Sequence, residues 1–388
     1  MISLWKAHLR CNVVLCIGLK QLMKLITNEV FSKTILKGKS ELFDTFTPLS
    51  TERQIGKEVC CIIPDSTDHK VINNSLTKIV FSRIPLNNSA YGFVPNRSYL
   101  DFLTSHVKNY YFLRLDIKKF FYSIDISLIK KLVQSLFSQD KEGKKHSPYD
   151  VVMEAITHKT SSDFPIAEIR NRQVLPIGYP SSPVISNILF RPIDILIQKY
   201  CEGKKITYTR YADDMLFSGN TKRILHGENF ETEISILLAT IGLKINNKKT
   251  IACENTISLN GYVIQNIKPT VNEFLSQYYE TSIGHIHISN KKTQLICKVI
   301  HSLRKKESPE NIMATHFGKT YNKHKFKYTK DYSFYIKYAD MQLQNKLKGY
   351  RSFLISLIKH NKKNNCISDK NIEKYSNLAR EIERHIKN

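Results

Sequence analysis

Apolar residues in this chain follow two patterns, short runs that stop at turn formers and longer stretches with helical spacing. Lys57 to Pro64 (Lys-Glu-Val-Cys-Cys-Ile-Ile-Pro) is predicted to be a strand, because its apolar run is brief and ends at a residue that cannot donate to a ladder. Residues 110–117 are a second apolar strand candidate, and residues 206–218 alternate in the strand manner on either side of a sharp turn. Residues 181–200 have helical spacing and begin after Gly178-Tyr179-Pro180, with Ser181 or Ser182 as the capping hydroxyl. Pro192 is expected to kink or restart that helix. Residues 20–50 show mixed helical spacing, Asp140 to Ser147 is a polar loop, and Asp125 is expected to cap a helix starting near Ile126. From about residue 275 helices dominate, with a linker near Glu307 to Glu310. The pattern predicts an α+β chain whose catalytic centre is made by segments distant in sequence.

Composition narrows the function. With 388 residues, 41% of them apolar and 10% aromatic, the chain can bury two or three packed lobes and is too apolar to be disordered. Its formal charge is +25, and self-repulsion of that size makes a polyanion the natural partner. Residues 291–388 hold 23 Lys and Arg against 8 Asp and Glu, a net +15. A charge run is ordinarily a solvated face, but its concentration in one helical region turns the reading toward a lobe that grips nucleic acid. Within it, Lys319, Lys323, Lys325, Lys327 and Lys330 interleave with Tyr321, Phe326 and Tyr328, which suits a backbone track with base stacking. The eight cysteines form no C-x-x-C pair, which argues against a zinc site or a disulfide framework and fits a reducing cytosol. The run Val13 to Leu19 is too short to span a bilayer and has no small-x-small cleavage site after it. It is read as a buried helix segment, or as sequence upstream of a start at Met23. A cytoplasmic protein without membrane contact is expected.

The candidate chemistry lies in three acids. In Thr209-Arg-Tyr-Ala-Asp213-Asp214-Met-Leu-Phe217, two adjacent aspartates sit between two β-prone arms, and a hairpin there lifts both to one end of a sheet. Adjacent like charges repel and need a cation beside them, which a divalent metal with oxygen ligands supplies. An ordinary Asp-Asp turn, favoured for its own backbone hydrogen bonds, is the alternative. Leu113-Arg-Leu-Asp116 adds a lone acid at the end of an apolar strand, costly there unless ligated or paired. Two metals bridging phosphate oxygens need about three carboxylates from separate segments. Asp116, Asp213 and Asp214 supply them, and the 97 residues between the first two leave room for a helix-bearing crossover. Tyr338-Ala-Asp340-Met341 echoes the hairpin motif, but it has one acid and helical flanks and is read as helix surface.

These segments together resemble the reverse transcriptases. Tyr211-Ala-Asp-Asp214 matches the family hallmark, Asp116-Ile-Lys-Lys-Phe-Phe-Tyr-Ser-Ile124 its first metal-binding motif, and Leu175-Pro-Ile-Gly-Tyr-Pro-Ser-Ser-Pro-Val-Ile-Ser-Asn187 its second. Asn246-Asn-Lys-Lys249-Thr250 is similar to the following motif, and Leu259-Asn-Gly261-Tyr262 to the turn that grips the primer end. Ala90-Tyr-Gly-Phe-Val-Pro-Asn-Arg-Ser98 looks like the segment before the palm in bacterial members of the retron-like and defence-associated (antiphage) group. The resemblance implies a right-hand polymerase: an N-terminal helical extension over 1–50, fingers and palm over 51–275 with an antiparallel palm sheet, and a helical basic thumb over 276–388. It also implies an RNA-directed DNA polymerase that copies a noncoding RNA template into DNA from dNTPs, with two Mg²⁺ ions and Mn²⁺ as a substitute.

By the same resemblance Asp116 and Asp213 hold both ions, Asp214 assists, and the Ile117 carbonyl ligates the nucleotide-side ion. Phe121 falls where the family keeps an aromatic gate against the 2′-hydroxyl, whereas Phe120 is read as core. Gly178, Pro180 and Ser181 belong to the loop under the templating base. Lys249 protonates or neutralises the leaving pyrophosphate, or is simply a surface lysine. Arg97 is a candidate contact to template or triphosphate, and Leu259, Gly261 and Tyr262 form the primer grip.

The departures are specific. Val59 stands where many relatives place a triphosphate-binding arginine, so Lys57 or another base must serve, or nucleotide binding differs. Ile177 replaces a common glutamine. Retron enzymes carry Asn-Ala-x-x-His and Val-Thr-Gly where this chain has Phe102-Leu-Thr-Ser-His106 and Leu259-Asn-Gly261, which points toward other defence-associated enzymes. Protein-primed or template-independent synthesis, and a non-catalytic RNA-binding protein, are the competing readings. A homo-oligomer or a partner protein stays open.

Overall fold

The computed structural model describes residues 25–56, 58–267, 284–319 and 331–387. Val13 to Leu19, Met23, Lys57, the expected boundary at 275/276 and residues 320–330 of the interleaved stretch lie outside the described residues. Eleven strands are present among those described: β1 (Thr51–Ile55), β2 (Glu58–Ile62), β3 (Tyr111–Asp116), β4 (His158–Lys159), β5 (Gln173–Val174), β6 (Thr207–Tyr211), β7 (Asp214–Gly219), β8 (Ile251–Glu254), β9 (Thr256–Leu259), β10 (Tyr262–Asn266) and β11 (Gly284–Ile288). The chain divides into two compact units. One takes the residues up to Tyr99, Leu113–Phe217 and Lys222–Ala252; the other takes Leu100–Phe112, Ser218–Thr221 and the residues from Cys253 onward.

The first unit is organised by a four-stranded sheet in the order β6-β7-β3-β8. Only two residues separate β6 from β7, so they form an antiparallel hairpin. The sheet is covered by the helix Ser182–Glu202, which packs on β6 and on the helix Glu228–Ala239. Ile185, Ile188, Leu189, Ile193 and Ile197 recur at helical spacing and are buried. Each is worth about 1.5–3 kcal/mol of transfer free energy, an upper figure for an extended reference chain. Ser181 is the N-cap residue as expected, although its side chain makes no cap bond, and the helix runs through Pro192 as one element rather than restarting there. Asp125 does cap the helix Ile126–Leu136, accepting from the Ser127 amide at 2.8 Å.

In the second unit β9, β10 and β11 form an antiparallel sheet. Tyr262 pairs with Leu259 across Asn260 and Gly261, whose φ values of 50° and 83° are those an Asn-Gly hairpin turn requires. The strand β11 lies where helices were expected to dominate. Its Gly-His-Ile-His-Ile alternation buries Ile286 and Ile288 against β10. Helices follow over Asn290–Arg304, Pro309–Phe317, Tyr332–Asn364 and Asp369–Glu383. The 33-residue helix buries Tyr335, Ala339, Leu343, Leu347, Leu354 and Leu357 on one stripe. Asp340 lies on this helix and pairs with Lys387 at 2.6 Å, so the echo of the hairpin motif is a helix-surface ion pair.

Candidate active site

Side chains two apart on a strand share a face, so β3 presents Arg114 and Asp116 together. Its neighbour in the sheet, β7, begins at Asp214, directly after the turn residues Ala212 and Asp213. The Ile117 amide donates to the Asp213 carbonyl at 3.0 Å, and this bond ties the end of β3 to the turn. Asp116, Asp213 and Asp214 are thereby brought to one end of adjacent strands, although they are distant in sequence.

Each acid has a different environment. Asp116 is 2% exposed and accepts from Lys249 Nζ at 2.9 Å and from Asn246 Nδ2 at 3.1 Å. The segment carrying both donors is laid against β3 by backbone bonds from Asn246 N to Asp116 O (2.8 Å) and from Lys118 N to Lys244 O (2.9 Å). Asp214 pairs with the Arg114 guanidinium, whose Nε lies 2.9 Å from Oδ1. Burial still holds the Asp214 carboxyl above its usual range, although Arg114 pulls it down. Asp213 has no such ion-pair partner among the described residues, and burial followed by repulsion from Asp214 pushes it up to about 6. Lys249 is raised by its hydrogen bond to Asp116, with its side chain 54% exposed.

The donor chemistry suits a hard divalent cation, since all three side chains are carboxylates. They are not gathered into a finished cage: among the described residues no three His, Cys, Asp or Glu side chains stand together as a metal site. Two of the three carboxylates are instead paired with cationic side chains, Asp116 with Lys249 and Asp214 with Arg114.

The turn itself is braced from beneath. Arg210 is fully buried, forks onto both oxygens of Asp194 (2.9 and 2.7 Å), stacks on Phe190 at 4.2 Å and donates to the Ala212 carbonyl at 3.0 Å. Tyr208 adds a 2.7 Å bond to the same Asp194. The left-handed Ala212 (φ 57°) is thus held by a closed ion pair. Sequence reading missed Arg114, Asn246 and the Asp194–Arg210 pair. The period of two along β3 was the available signal for Arg114; the others are through-space partners that no local pattern marks.

The remaining candidates fall into distinct settings. Phe120 is core, and Phe121 is half-buried, its ring 5.4 Å from Phe120 and 6.3 Å from Phe93. Gly178 (φ 108°) lies against β2, where a Cβ would come 2.5 Å from the Cys61 carbonyl, and the Cys61 amide donates to Ile177 O at 2.7 Å. Pro180 is half-buried beside it, and Ser181 is locked to Asn73 by two 3.0 Å bonds. Arg97 donates to the carbonyls of Asn88 and Ala90, both at 2.6 Å, and covers the Tyr91 ring. Val59 is buried, and its carbonyl accepts from Tyr122, so that position faces the interior rather than a ligand. In the second unit, Leu259, Gly261 and Tyr262 meet at the β9–β10 turn, with Tyr262 beside Phe353 and Lys292.

Comparison with known proteins agrees with this arrangement of motifs. The family described as "Reverse transcriptase (RNA-dependent DNA polymerase)" matches residues 61–329. The chain is 34% identical over 169 residues to the retron Ec73 reverse transcriptase of Escherichia coli, covering 40% of this chain and 48% of the relative. It is 28% identical to the Ec83 retron enzyme of the same organism, covering 47% and 56%. The matches thus span about half the length of these curated relatives. A solved telomerase from Candida albicans aligns over 92% of this chain and 67% of its own, at 12% identity and a TM-score of 0.40. With more than half of its length matched in one stretch, the chain belongs to the reverse transcriptase family.

Proposed function

We propose that this protein is an RNA-directed DNA polymerase with a right-hand architecture, in which the first unit carries the catalytic palm and the basic C-terminal helices serve as thumb. The observation that carries the reading is the convergence of Asp116, Asp213 and Asp214 at the ends of β3 and β7. When bound there, two Mg²⁺ ions, or Mn²⁺, would activate the primer hydroxyl and neutralise charge on the transferred phosphate. Asp116 and Asp213 are the residues to hold both, with Asp214 and the Ile117 carbonyl completing the ligand set. Arg114 fixes the rotamer of Asp214, and Asp194 with Arg210 fixes the turn.

The hydrogen bond from Lys249 to Asp116 supports a role for its ammonium as proton source or counter-charge for the leaving pyrophosphate. Phe121 is the ring to exclude a 2′-hydroxyl, and Gly178, Pro180 and Ser181 the loop to support the templating base. Leu259, Gly261 and Tyr262 hold the primer end. Arg97 steadies the 88–97 segment, whose backbone it bonds. The charge of +25 fits an RNA template and a DNA product. The template is a dedicated noncoding RNA, and the setting is antiphage defence in the cytoplasm, a reading that follows the retron likeness. No described helix is long and apolar enough to cross a membrane.

The test is labelled dNTP incorporation by purified protein with Mg²⁺, on its copurifying RNA and on a primed RNA. Wild type should incorporate, and Asp213→Asn should lose about 10³-fold or more while keeping its fold. No incorporation by wild type on any primer, or full activity in the variant, overturns the reading.

A further inference from the structure

Phe93 is a bulky residue in a conformation that bulky residues avoid, with φ at 59°. Its ring is 46% exposed, so burial does not explain why the strain is kept. The surrounding backbone enforces it. Gly92 lies so close to the hairpin turn that a Cβ would stand 2.5 Å from the Ala212 nitrogen, and its carbonyl accepts from Asn187 at 2.8 Å. Tyr91 N donates to Arg210 O at 2.7 Å. The segment is therefore clamped to the strand and turn that carry Asp213. The ring's two aromatic neighbours, Phe121 and Tyr211, each at 6.3 Å, belong to the two catalytic segments, one following Asp116 and the other preceding Asp213.

We propose that Phe93 is a specificity-determining residue, a second wall of the nucleotide's sugar pocket that acts with Phe121 to exclude a 2′-hydroxyl. Strain concentrated at an exposed ring beside a reaction centre is the usual mark of a functional position. A ring kept for packing would be buried and would not need a left-handed backbone. The inference rests on the polymerase reading and on Phe121 as the primary gate.

Three variants test it by single-nucleotide incorporation with dGTP against GTP, alongside melting temperature. Phe93→Gly relieves the backbone strain, so it should melt at or above wild type, yet its preference for dGTP should fall by about 10-fold or more. Phe93→Tyr keeps the ring and should keep the preference. Phe121→Ala reports on the gate itself. Preference lost in Phe121→Ala but intact in Phe93→Gly overturns this inference alone. A lower melting temperature in Phe93→Gly with selectivity untouched assigns the ring to packing and also overturns it. Preference intact in both variants, or absent in wild type, overturns the gate and this inference with it. A wild type that incorporates no nucleotide overturns the polymerase reading on which both stand.

Discussion

Two groups of acids in the first unit are built on opposite principles. Asp194 and Arg210 are both 0% exposed, bidentate and joined by Tyr208, so every charge is answered from inside the fold. Asp116, Asp213 and Asp214 are answered from the rim. The Lys249 side chain is 54% exposed, Arg114 serves one acid, and burial with repulsion from Asp214 leaves the Asp213 carboxyl up at about 6. A closed pair has a single arrangement and braces structure. An acid cluster held by a displaceable ammonium can exchange it for another cation. On the function proposed above, the difference separates a strut from a site.

The comparison is broken most severely by Asp194→Ala. Removing one partner leaves the Arg210 charge buried without an answer, which should cost about 3–5 kcal/mol of stability. Denaturant unfolding would register it, and incorporation should fall as the Ala212 turn loosens. A variant as stable as wild type would show that the pair is not the brace described.

His106 sharpens the same contrast in the second unit, since it too is closed in. It is fully buried, lies 2.6 Å from Ser218 Oγ, and burial pushes it down to about 3 from an ordinary 6.5. The unfolded chain therefore takes up a proton below 6.5 that the folded chain refuses until about 3. Stability from this group is whole above 6.5 and lost as pH falls through that window. Melting curves should show that decline, and His106→Gln should flatten it. An unchanged slope would mean that other groups govern acid unfolding.

Lys249→Met should have a smaller effect on the fold than Asp194→Ala, about 1–3 kcal/mol, because the ammonium is half solvated and Asp116 keeps its bond from Asn246. Incorporation should nevertheless fall, by about 10²-fold if the ammonium serves as general acid. A large loss of stability would place Lys249 with Asp194 and Arg210 among the struts.

Much of this was legible in the sequence, for reasons that differ by residue. The strands β2 and β3 carry short apolar runs and β6 and β7 alternate about a turn; Asp116 stood out as a costly charge at a strand end, and Asp213 with Asp214 as adjacent like charges. The strand β1 was missed because its burial pattern is almost wholly exposed, which leaves no alternation to read. The strand β11 does alternate, but five residues among helical stretches carry little weight. Val59 drew notice as a missing arginine, yet the structure turns it inward. The altered residues at 102–106 and 259–261 suggested distance from retron enzymes. The relatives found are retron enzymes, His106 is a buried histidine, and Asn260-Gly261 builds an ordinary hairpin turn. The Asp194 brace stayed hidden because its partner lies sixteen residues away and is paired only by folding.

In the proposed site the three aspartates form a cation-receptive cluster, with Lys249 as a displaceable partner of Asp116. Manganese binding to the purified protein, followed by electron paramagnetic resonance without nucleotide, tests it most directly. Wild type should bind saturably, the Asp116→Asn, Asp213→Asn double variant should lose that binding, and Lys249→Met should bind more tightly, since the competitor for Asp116 is gone. Equal binding in wild type and the double variant would contradict it.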